Sequence, residues 1–556
     1  MFAKITNHPS NYSLIILLIC AHLCPTPNHA LTPPILLNDH DPHSSDSLIV
    51  TQARHHNENV LDAINSGIKI DPRAPDKSLT PIDDENLHGI MRISMRHRDT
   101  HPLHKNQTKT QSLHRAIRRD SARIRGRHLF HMGMESLAGS ASTEMTTKRM
   151  ASSVTTSLVT TKPPLASSSE VTTIQSSVES GESLGSGEYF MDVYVGTPPR
   201  HFSLIIDTGS DLIWTQCDPC KSCYSQQGPV FSPNTSSSYK GLTCSHPKCK
   251  LVNHKDDNNH ESITCTRNRS TDACEYIYTY GDNSNSTGDL ALETITLSLT
   301  NGQPVSLDGI VFGCGHSNEG LFLGAGGLLG LGKGPLSFPS QMHKQLSHHK
   351  FSYCLVDRNN NLSINSTLTF GDDISLAYHP HVQYTKFLTN TSMDTFYYLG
   401  IKNVLVGGED VEVPLETWVL EDSRGKYGTI IDSGTTLTYF VKDAFERIVL
   451  AFDSQILYPK VESPILNYCY NVSRHPIVEL PAFSIIFVDG AIFTPPLENY
   501  FIEIDSNPMP ILCLAMLEAP SSSPSILGNY LQQNTHFLYD LDNNKLGFVP
   551  MKCDSV

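Results

Sequence analysis

The sequence predicts an all-β body built from two related lobes, with a long N-terminal segment of different composition before it. The chain has 556 residues, which is too long for one compact core. From residue 188 onward, short runs rich in β-branched and aromatic residues, such as YFMDVYV and FSIIF, alternate with turn residues and so predict strands. A repeated pattern predicts the two lobes: IIDTGS at 205–210 returns as IIDSGT at 430–435.

Each copy of the repeat has the same distant companion. GGLLGLG follows the first copy at 326–332, and SILGN follows the second at 525–529, so both halves continue with an aliphatic pair that runs into Gly. A single Asp-[Ser/Thr]-Gly triplet is commonly a surface turn with a solvated Asp. Two triplets with the same flanks and the same companion indicate two diverged copies of one lobe.

Residues 1–30 predict a secretory signal peptide. Lys4 precedes a short apolar stretch, SLIILLICAHL, which ends before Pro25. Such a stretch is too short to span a bilayer and is typical of a cleaved signal, with a buried N-terminal helix as the alternative. No later run is long enough for a membrane helix, and the C-terminus lacks a hydrophobic tail. We therefore expect a secreted protein without a stable membrane anchor.

The cysteines agree with an oxidising compartment. Of the fourteen, Cys20 and Cys24 leave with the signal, and the remaining even number predicts up to six disulfides. The CxxCxxC pattern at 217–223 would suggest zinc in a cytosolic protein, but behind a signal peptide we expect oxidation and no metal. Seven N-x-S/T sequons in the same region favour a glycoprotein. They begin at Asn234, Asn268, Asn285, Asn361, Asn365, Asn390 and Asn471.

Charge separates the N-terminal segment from the body. Residues 91–130 hold eleven Lys or Arg and two Asp, a balance of +9, which leaves −24 for the rest of a chain whose net charge is −15. An acidic body argues against nucleic acid as a partner. Within the basic stretch, Leu113, Ile117 and Ile124 recur at helical spacing and predict a short basic amphipathic helix. Residues 137–187 are rich in Ser and Thr and predict an unfolded linker.

The repeat can carry acid–base chemistry. If the lobes meet about a two-fold axis, Asp207 and Asp432 face each other, and two carboxylates in contact share one proton. One can take a proton from a water between them while its protonated partner hydrogen-bonds a carbonyl group, so no metal, cofactor or nucleophilic side chain is needed. The flanking residues fit this chemistry. Gly209 and Gly434 allow close approach of main-chain N–H groups, and the hydroxyls of Thr208 and Ser433 can join the two loops. The hydroxyls of Ser210 and Thr435 can bond the outer carboxylate oxygens.

Over about residues 187–553 these motifs resemble the pepsin-like aspartic proteases, in particular the plant nepenthesin-type branch. The resemblance implies a monomeric, all-β, bilobal fold, with pseudo-two-fold-related lobes at 188–355 and 356–556 and the active site in the cleft between them. It implies that Asp207 and Asp432 are the catalytic pair of an endopeptidase that hydrolyses polypeptides at acidic pH. The extracellular space (apoplast) is the expected location, with the vacuole as an alternative.

The hairpin YTYGDNSNSTG at 278–288 resembles the flap of these enzymes. Tyr280, Gly281 and Asp282 match the flap segment that closes over substrate, and Trp214 matches the tryptophan whose indole N–H bonds the flap tyrosine. Relatives commonly have Gly where this chain has Asn283, a residue that tolerates left-handed turns. A glycan on Asn285 would crowd the cleft and so affect the substrate range.

The resemblance also suggests a disulfide pattern, which the sequence alone leaves open. The suggested pairs are Cys217–Cys220, Cys223–Cys314, Cys244–Cys274, Cys249–Cys265, Cys354–Cys553 and Cys469–Cys513.

Residues 31–187 are interpreted as a basic, His-rich and Ser/Thr-rich prosegment and linker. By family precedent, the prosegment lies across the acidic cleft as an intramolecular inhibitor until acid releases it, whereas the alternative is a solvated tail. For the whole chain, the alternative to an enzyme is a catalytically silent member of the fold that acts as a binding or inhibitor protein. A structural cell-wall glycoprotein would explain the sequons but not the paired turns.

Overall fold

The computed structural model describes residues 91–97 by their backbone, 111, 113–121, and most of 188–555. Within 188–555 the gaps are 253–271, 281–283, 300–302, 323, 344–347, 358–364, 391–392, 422–425, 474–476, 505–509 and 522. The predicted signal peptide, the Ser/Thr-rich linker and the flap residues Gly281, Asp282 and Asn283 therefore lie outside the described residues. No helix within the described part is long and apolar enough to cross a membrane.

Strands dominate the described chain. The first half contains β1 (Met91–His97), β2 (Tyr189–Val195), β3 (Arg200–Asp207), β4 (Trp214–Gln216), β5 (Lys240–Gly241), β6 (Glu275–Thr279), β7 (Asn285–Ser298), β8 (Pro304–Glu319) and β9 (Gly327–Gly330). The second half contains β10 (Lys350–Cys354), β11 (Ser366–Phe370), β12 (Gln383–Leu388), β13 (Tyr397–Leu399), β14 (Ile401–Val406), β15 (Glu409–Asp410), β16 (Leu420–Glu421), β17 (Lys426–Tyr427), β18 (Thr429–Asp432), β19 (Thr438–Phe440), β20 (Lys460–Val461), β21 (Cys469–Asn471), β22 (Phe483–Phe487), β23 (Ile492–Phe493), β24 (Phe501–Ile504), β25 (Ile511–Leu514), β26 (Met516–Glu518), β27 (Ser525–Gly528), β28 (Thr535–Asp540) and β29 (Lys545–Pro550).

Helices in the described residues are few and mostly short. They are α1 (113–121), α2 (Phe338–Met342), α3 (Ile374–Ala377), α4 (Lys442–Gln455) and α5 (Asn529–Gln532). Short 3-10 helices cover Pro233–Thr235, Pro247–Val252, Leu415–Thr417, Leu497–Asn499 and Cys553–Ser555. The longest, α4, buries an apolar face that includes Phe445, Ile448 and Phe452.

The two halves repeat one strand arrangement, as the predicted bilobal fold requires. In the first half, β3 runs parallel to β9, while β4 is antiparallel to β9 and parallel to β8. In the second half, β18 runs parallel to β27, while β19 is antiparallel to β27 and parallel to β26. The all-β, two-lobed prediction is therefore confirmed, and the repeated sequence motif corresponds to a repeated set of strand pairings.

Glycine makes the crossing in each lobe possible. Register pairs Asp207 with Gly330 and Asp432 with Gly528. A Cβ at Gly330 would lie 2.2 Å from the carbonyl carbon of Asp211, and one at Gly528 would lie 2.2 Å from the carbonyl oxygen of Leu437. Only glycine permits this approach of one backbone to another. Gly330 at the end of β9 and Gly528 at the end of β27 are therefore required where each strand crosses behind an aspartate loop.

One sheet joins strands of both halves with a strand from the N-terminal segment. β1 pairs antiparallel with both β2 and β11, and β10 pairs with both β11 and β28. The main apolar core crosses the same region, where Phe351 stacks on Tyr539 with ring centroids 4.4 Å apart. Residues 91–97 are therefore part of the sheet that connects the lobes.

Five disulfides are seen among the described residues. They are Cys217–Cys314, Cys220–Cys223, Cys249–Cys274, Cys354–Cys553 and Cys469–Cys513. The last two confirm the suggested pattern. Cys244 is also disulfide-bonded, and Cys265 lies outside the described residues.

The suggested pairs Cys217–Cys220, Cys223–Cys314, Cys244–Cys274 and Cys249–Cys265 are wrong. Strand pairing explains the first correction: β4 and β8 run side by side, the N–H of Cys217 donates to the carbonyl of Gly315 at 2.8 Å, and the Cα atoms of Cys217 and Cys314 are 5.2 Å apart. Cys220 and Cys223 are then left to pair within their own loop. In the insertion, the 3-10 turn Pro247–Val252 brings Cys249 beside Cys274, with Cα atoms 5.9 Å apart.

Candidate active site

Asp207 ends a buried strand and is held by its own turn. Its side chain is 2% exposed. The N–H of Gly209 donates to Oδ1 at 2.9 Å, and the hydroxyl of Ser210 donates to Oδ2 at 2.8 Å. Both carboxylate oxygens therefore accept a hydrogen bond from within the loop, which fixes the orientation of the carboxylate.

Asp432 is held in the same way by the second copy of the turn. The N–H of Gly434 donates to Oδ1 at 2.9 Å, and the hydroxyl of Thr435 donates to Oδ2 at 2.7 Å. Asp432 is fully buried, and β18 before it is buried along its whole length. The repeat in sequence is thus a repeat in geometry, bond for bond.

The two loops are joined directly. The N–H of Thr208 donates to Oγ of Ser433 at 3.1 Å, and the N–H of Ser433 donates to Oγ1 of Thr208 at 2.8 Å. Each hydroxyl therefore accepts from the main chain of the opposite lobe. This reciprocal link brings the Asp207 and Asp432 loops together, as the sequence analysis expected of this pair of hydroxyls.

A buried polar network, not expected from the sequence, supports this link between the two loops. The hydroxyl of Tyr539 hydrogen-bonds Thr208 and lies 2.7 Å from the hydroxyl of Tyr353. Burial raises the pKa of both phenols well above the ordinary value, and the Asp432 charge adds to this, so both stay protonated and able to donate. On the other side, Nδ2 of Asn529 donates to the carbonyl of Ser433 at 2.9 Å.

The flap tyrosine is anchored to the first lobe. Nε1 of Trp214 donates to the hydroxyl of Tyr280 at 2.6 Å, and the ring of Phe322 packs edge-on against both aromatic rings. Burial raises the pKa of Tyr280 well above the ordinary value, and the nearby Tyr278 adds to the effect. The structure thus brings Tyr280 and Trp214 together, while Gly281 and Asp282 lie outside the described residues.

Asp211 is a site residue that the sequence analysis missed. Its carboxylate accepts from the N–H of Gly334 at 2.9 Å and from the hydroxyl of Thr395 at 2.6 Å, and its own N–H donates to the hydroxyl of Tyr278 at 3.1 Å. A Cβ at Gly334 would come within 2.1 Å of the carboxylate. The alternating glycines of GLGKG at 330–334 are the sequence feature that could have indicated this site, because they leave room for the Asp211 side chain.

Helix α1 of the N-terminal segment contacts the loop that follows Asp432. The carboxylate of Asp120, which is 0% exposed, accepts from the N–H of Thr436 at 3.0 Å and from the N–H of Leu437 at 2.9 Å. The guanidinium of Arg119 donates to the hydroxyl of Thr436 at 3.1 Å, and its Nε lies 3.0 Å from Oε1 of buried Glu188, an ion pair without hydrogen-bond alignment.

The apolar side of α1 is docked as well. Leu113 is buried in one cluster with Ile430, Leu437 and Ile526, whereas Arg115 and Arg118 are exposed. The predicted helix is confirmed over 113–121, and Ile124 lies outside the described residues. The contact with the Asp432 loop is made by an acid and one arginine, so the general basic charge of the segment does not account for it.

These geometries support acid–base chemistry between two matched carboxylates. Both aspartates are buried, both are oriented by the same pair of donors, and their loops are joined to each other. Two carboxylates that lie in contact in a protein interior can share one proton. The catalytic and flap roles assigned to these residues stay predictions.

Comparisons with known proteins agree with this arrangement. A family model described as xylanase inhibitor N-terminal matches residues 189–372, and one described as xylanase inhibitor C-terminal matches 396–550. Aspartic proteinase nepenthesin-2 of Nepenthes gracilis is 40% identical over 383 residues, which are 68% of this chain and 81% of that protein. Aspartyl protease family protein 2 of Arabidopsis thaliana is 39% identical over 380 residues, which are 68% and 73% of the two chains.

A further Arabidopsis thaliana relative, Protein ASPARTIC PROTEASE IN GUARD CELL 2, is 32% identical over 497 residues, which are 89% of this chain and 94% of that protein. Among solved structures, that of edgp covers 66% of this chain and 92% of its own at a TM-score of 0.54 and 20% identity, and soybean basic 7S globulin covers 66% and 93% at 0.52 and 18%. The structural likeness concerns the fold alone. Since the sequence identity extends over most of the body and includes proteinases by name, the chain belongs to the pepsin-like family of aspartic-type endopeptidases, among its plant nepenthesin-type members.

Proposed function

We propose that the chain is a secreted aspartic endopeptidase, made as a proenzyme, that hydrolyses polypeptides at acidic pH. The observation that carries the proposal is the pair of hydrogen bonds between Thr208 and Ser433, which joins two carboxylate turns of equal geometry. A solvated surface turn would not need two buried strands and a bond to its copy in the other lobe.

In the proposed mechanism, the carboxylates of Asp207 and Asp432 share one proton. The ionised member takes a proton from a water that lies between them, and the oxygen of that water attacks the peptide carbonyl carbon. The protonated member hydrogen-bonds the carbonyl oxygen and stabilises the negative charge that develops there. Transfer of that member's proton to the carbonyl oxygen gives a neutral diol. As the diol collapses, the carboxyl group that took its proton from the water passes it to the leaving nitrogen, the other carboxylate takes back a proton from a diol hydroxyl, and the C–N bond breaks.

Tyr280 closes the cleft over the substrate in this mechanism. Its raised pKa keeps the phenol neutral at any working pH of an acid protease. The indole of Trp214 fixes the phenol oxygen at 2.6 Å, so the flap tyrosine is preorganised before substrate binds. Exclusion of water from the site strengthens the electrostatic stabilisation of the diol.

The domain division follows from the same proposal. Residues 1–30 are a signal peptide, 31–187 a prosegment and linker, 188–355 the N-terminal lobe and 356–556 the C-terminal lobe. The disulfides support passage through an oxidising compartment. We propose glycosylation at exposed Asn234. Asn390 is 7% exposed and its Nδ2 donates to the hydroxyl of Tyr398 at 3.2 Å, so we propose that this sequon carries no glycan.

The prosegment is proposed to act as an intramolecular inhibitor through α1. Asp120 accepts a hydrogen bond from the main-chain N–H of Thr436. Thr436 directly follows Thr435, whose hydroxyl orients Asp432. We propose that α1, held beside the Asp432 loop, obstructs the access of a polypeptide substrate to that loop. We propose that acid releases α1 by weakening these charge-assisted contacts.

A catalytically silent binding protein is the second candidate, because the matching family models are described as xylanase inhibitors. One assay separates the two. Precursor activated at pH 3–4 is incubated with unfolded globin at pH 3–5, with and without pepstatin. We expect hydrolysis that pepstatin blocks, no hydrolysis by Asp432→Asn, and full hydrolysis by the exposed control Asp443→Asn. Activated wild type that leaves globin intact would favour the silent binding protein.

A further inference from the structure

A cavity of about 170 Å³ lies beside the flap strand β6, and its lining includes Asp211, which directly follows the Asp207 turn in the chain. Its walls include Leu212, Val252 and Leu336, which are apolar and buried, and Leu251 stands half-exposed at the wall. We call this cavity the flap-side pocket.

The flap-side pocket is coupled to the flap itself. Tyr278 lines it, accepts a hydrogen bond from the N–H of Asp211, and packs against Tyr280 with ring centroids 5.1 Å apart. Asp211 in turn is four residues after Asp207. A side chain bound in the pocket would therefore belong to a substrate residue close to the bond that is cut.

The lining chemistry points to a particular kind of side chain. Two carboxylates, Asp211 and Asp394, line the pocket, and none of its eight lining residues is Lys, Arg or His. Apolar walls with carboxylate at the rim fit a long aliphatic stem that ends in a cation. We propose that the flap-side pocket binds a lysine or arginine side chain of the polypeptide substrate and that Asp394 is the residue that selects for its charge.

Asp394 suits this role better than Asp211. The Asp211 carboxylate is committed to Gly334 and Thr395 and is buried, whereas Asp394 is exposed. The charge of Lys333 acts on Asp394, but its Nζ donates to Asn544 at 3.2 Å and lies 5.5 Å from the centroid of the Phe387 ring. Within the described part of the chain, the Asp394 carboxylate is thus available to a substrate cation.

This inference rests on the proposed endopeptidase function, and its test keeps the two apart. Activated wild type digests a mixture of unfolded proteins at pH 5, and the cleavage sites are mapped by mass spectrometry. We expect Lys and Arg to be enriched at one position near the cut. Matched peptides with Lys or uncharged norleucine at that position should then differ in kcat/KM by about five-fold, the ratio that an exposed ion pair can give.

The variant Asp394→Asn should bring the Lys-to-norleucine ratio close to one, and Asp394→Lys should reverse it in favour of a Glu peptide. Leu251→Trp narrows the pocket and should lower kcat/KM for the Lys peptide more than for an Ala peptide. The controls Asp443→Asn and Leu450→Trp, both exposed on α4, should leave the ratios unchanged. Globin hydrolysis with no basic preference at any position would overturn the pocket assignment alone. Absence of globin hydrolysis would overturn both proposals.

Discussion

Thr208 and Ser433, 225 residues apart in the chain, each accept the main-chain N–H of the other at 2.8–3.1 Å. Both hydroxyls are buried, and each lies directly after an aspartate. The link therefore fixes the spacing of the two aspartate loops, on which a shared proton depends. It also turns two lobes into one site, because neither loop is fully hydrogen-bonded without the other.

Removal of one hydroxyl should damage both stability and catalysis. Thr208→Val keeps the shape but leaves the N–H of Ser433 without its acceptor, so the free energy of unfolding should fall by about 1–3 kcal/mol. We expect kcat to fall about ten-fold or more, because the loops can separate. Thr208→Ser, which keeps the hydroxyl, is the matched control. Urea denaturation and globin hydrolysis measure the two effects, and an unchanged kcat in Thr208→Val would contradict the role of the link.

The bond between Trp214 and Tyr280 predicts a coupled pair of mutants. Trp214→Phe removes the donor, so kcat/KM should fall about five- to ten-fold. The double mutant Trp214→Phe/Tyr280→Phe should lose no more kcat/KM than the more damaging of the two single mutants. Trp418, the other tryptophan, is the matched control, because its buried Nε1 has no hydrogen-bond partner among the described residues. Additive losses in the double mutant would show that the bond does not act in catalysis.

The sequence predicted those parts of the site that are repeated. Asp207 and Asp432 could be paired from sequence because similar turns follow the same pair of buried isoleucines, and the fold followed from the same repeat. Asp211 and Asp120 could not be found in this way, because each has its role through contacts with distant segments. The suggested partners of Cys217 and Cys223 were wrong for a similar reason: Cys217, Cys220 and Cys223 are nearly equivalent in sequence, and only the register of β4 beside β8 selects the partner of Cys314.

The contact of Asp120 with the Asp432 loop predicts that α1 is released more easily when this side chain is removed. Asp120→Ala removes a carboxylate that accepts from two buried main-chain N–H groups, a loss of about 1.5–3 kcal/mol. Processing of the full-length precursor at pH 5, followed on gels, should become about ten-fold faster. Arg118→Ala changes an exposed residue of the same helix and should leave the rate unchanged. If the Asp120→Ala precursor is processed at the wild-type rate, the proposal that α1 acts as an inhibitor is contradicted.

Burial predicts which sequons carry glycans. Asn234 is exposed, whereas the Asn390 amide is buried against Tyr398 and also accepts from the N–H of Met393 at 3.2 Å. Mass spectrometry of glycopeptides from the secreted protein should find Asn234 occupied and Asn390 bare. Asn390→Asp would remove the donor to Tyr398 and should destabilise the protein by about 1 kcal/mol. A glycan on Asn390 would contradict the packing described here.

A buried ion pair predicts how the fold resists acid. Oδ2 of Asp373 accepts from the hydroxyl of Ser352 at 2.7 Å and lies 3.0 Å from Nε2 of His536, while Oδ1 accepts from the hydroxyl of Ser375 at 2.5 Å. Burial alone would raise the pKa of Asp373, but the hydrogen bonds and the charge of His536 outweigh it and hold that pKa well below its ordinary value. The ionised form therefore survives at pH values where other carboxylates are neutral.

Because the pKa of Asp373 is lower in the folded state, its ionisation stabilises the fold fully above about pH 4, and this contribution is lost as the pH falls toward the lowered value. Asp373→Asn should thus lower the free energy of unfolding by about 3 kcal/mol at pH 5, with a smaller difference at pH 2.5. Asp372→Asn is the control: its partly exposed pair with Lys350 should contribute about 1 kcal/mol or less. Denaturant titrations at both pH values measure the difference, and an equal loss at pH 5 and pH 2.5 would contradict the ionised pair.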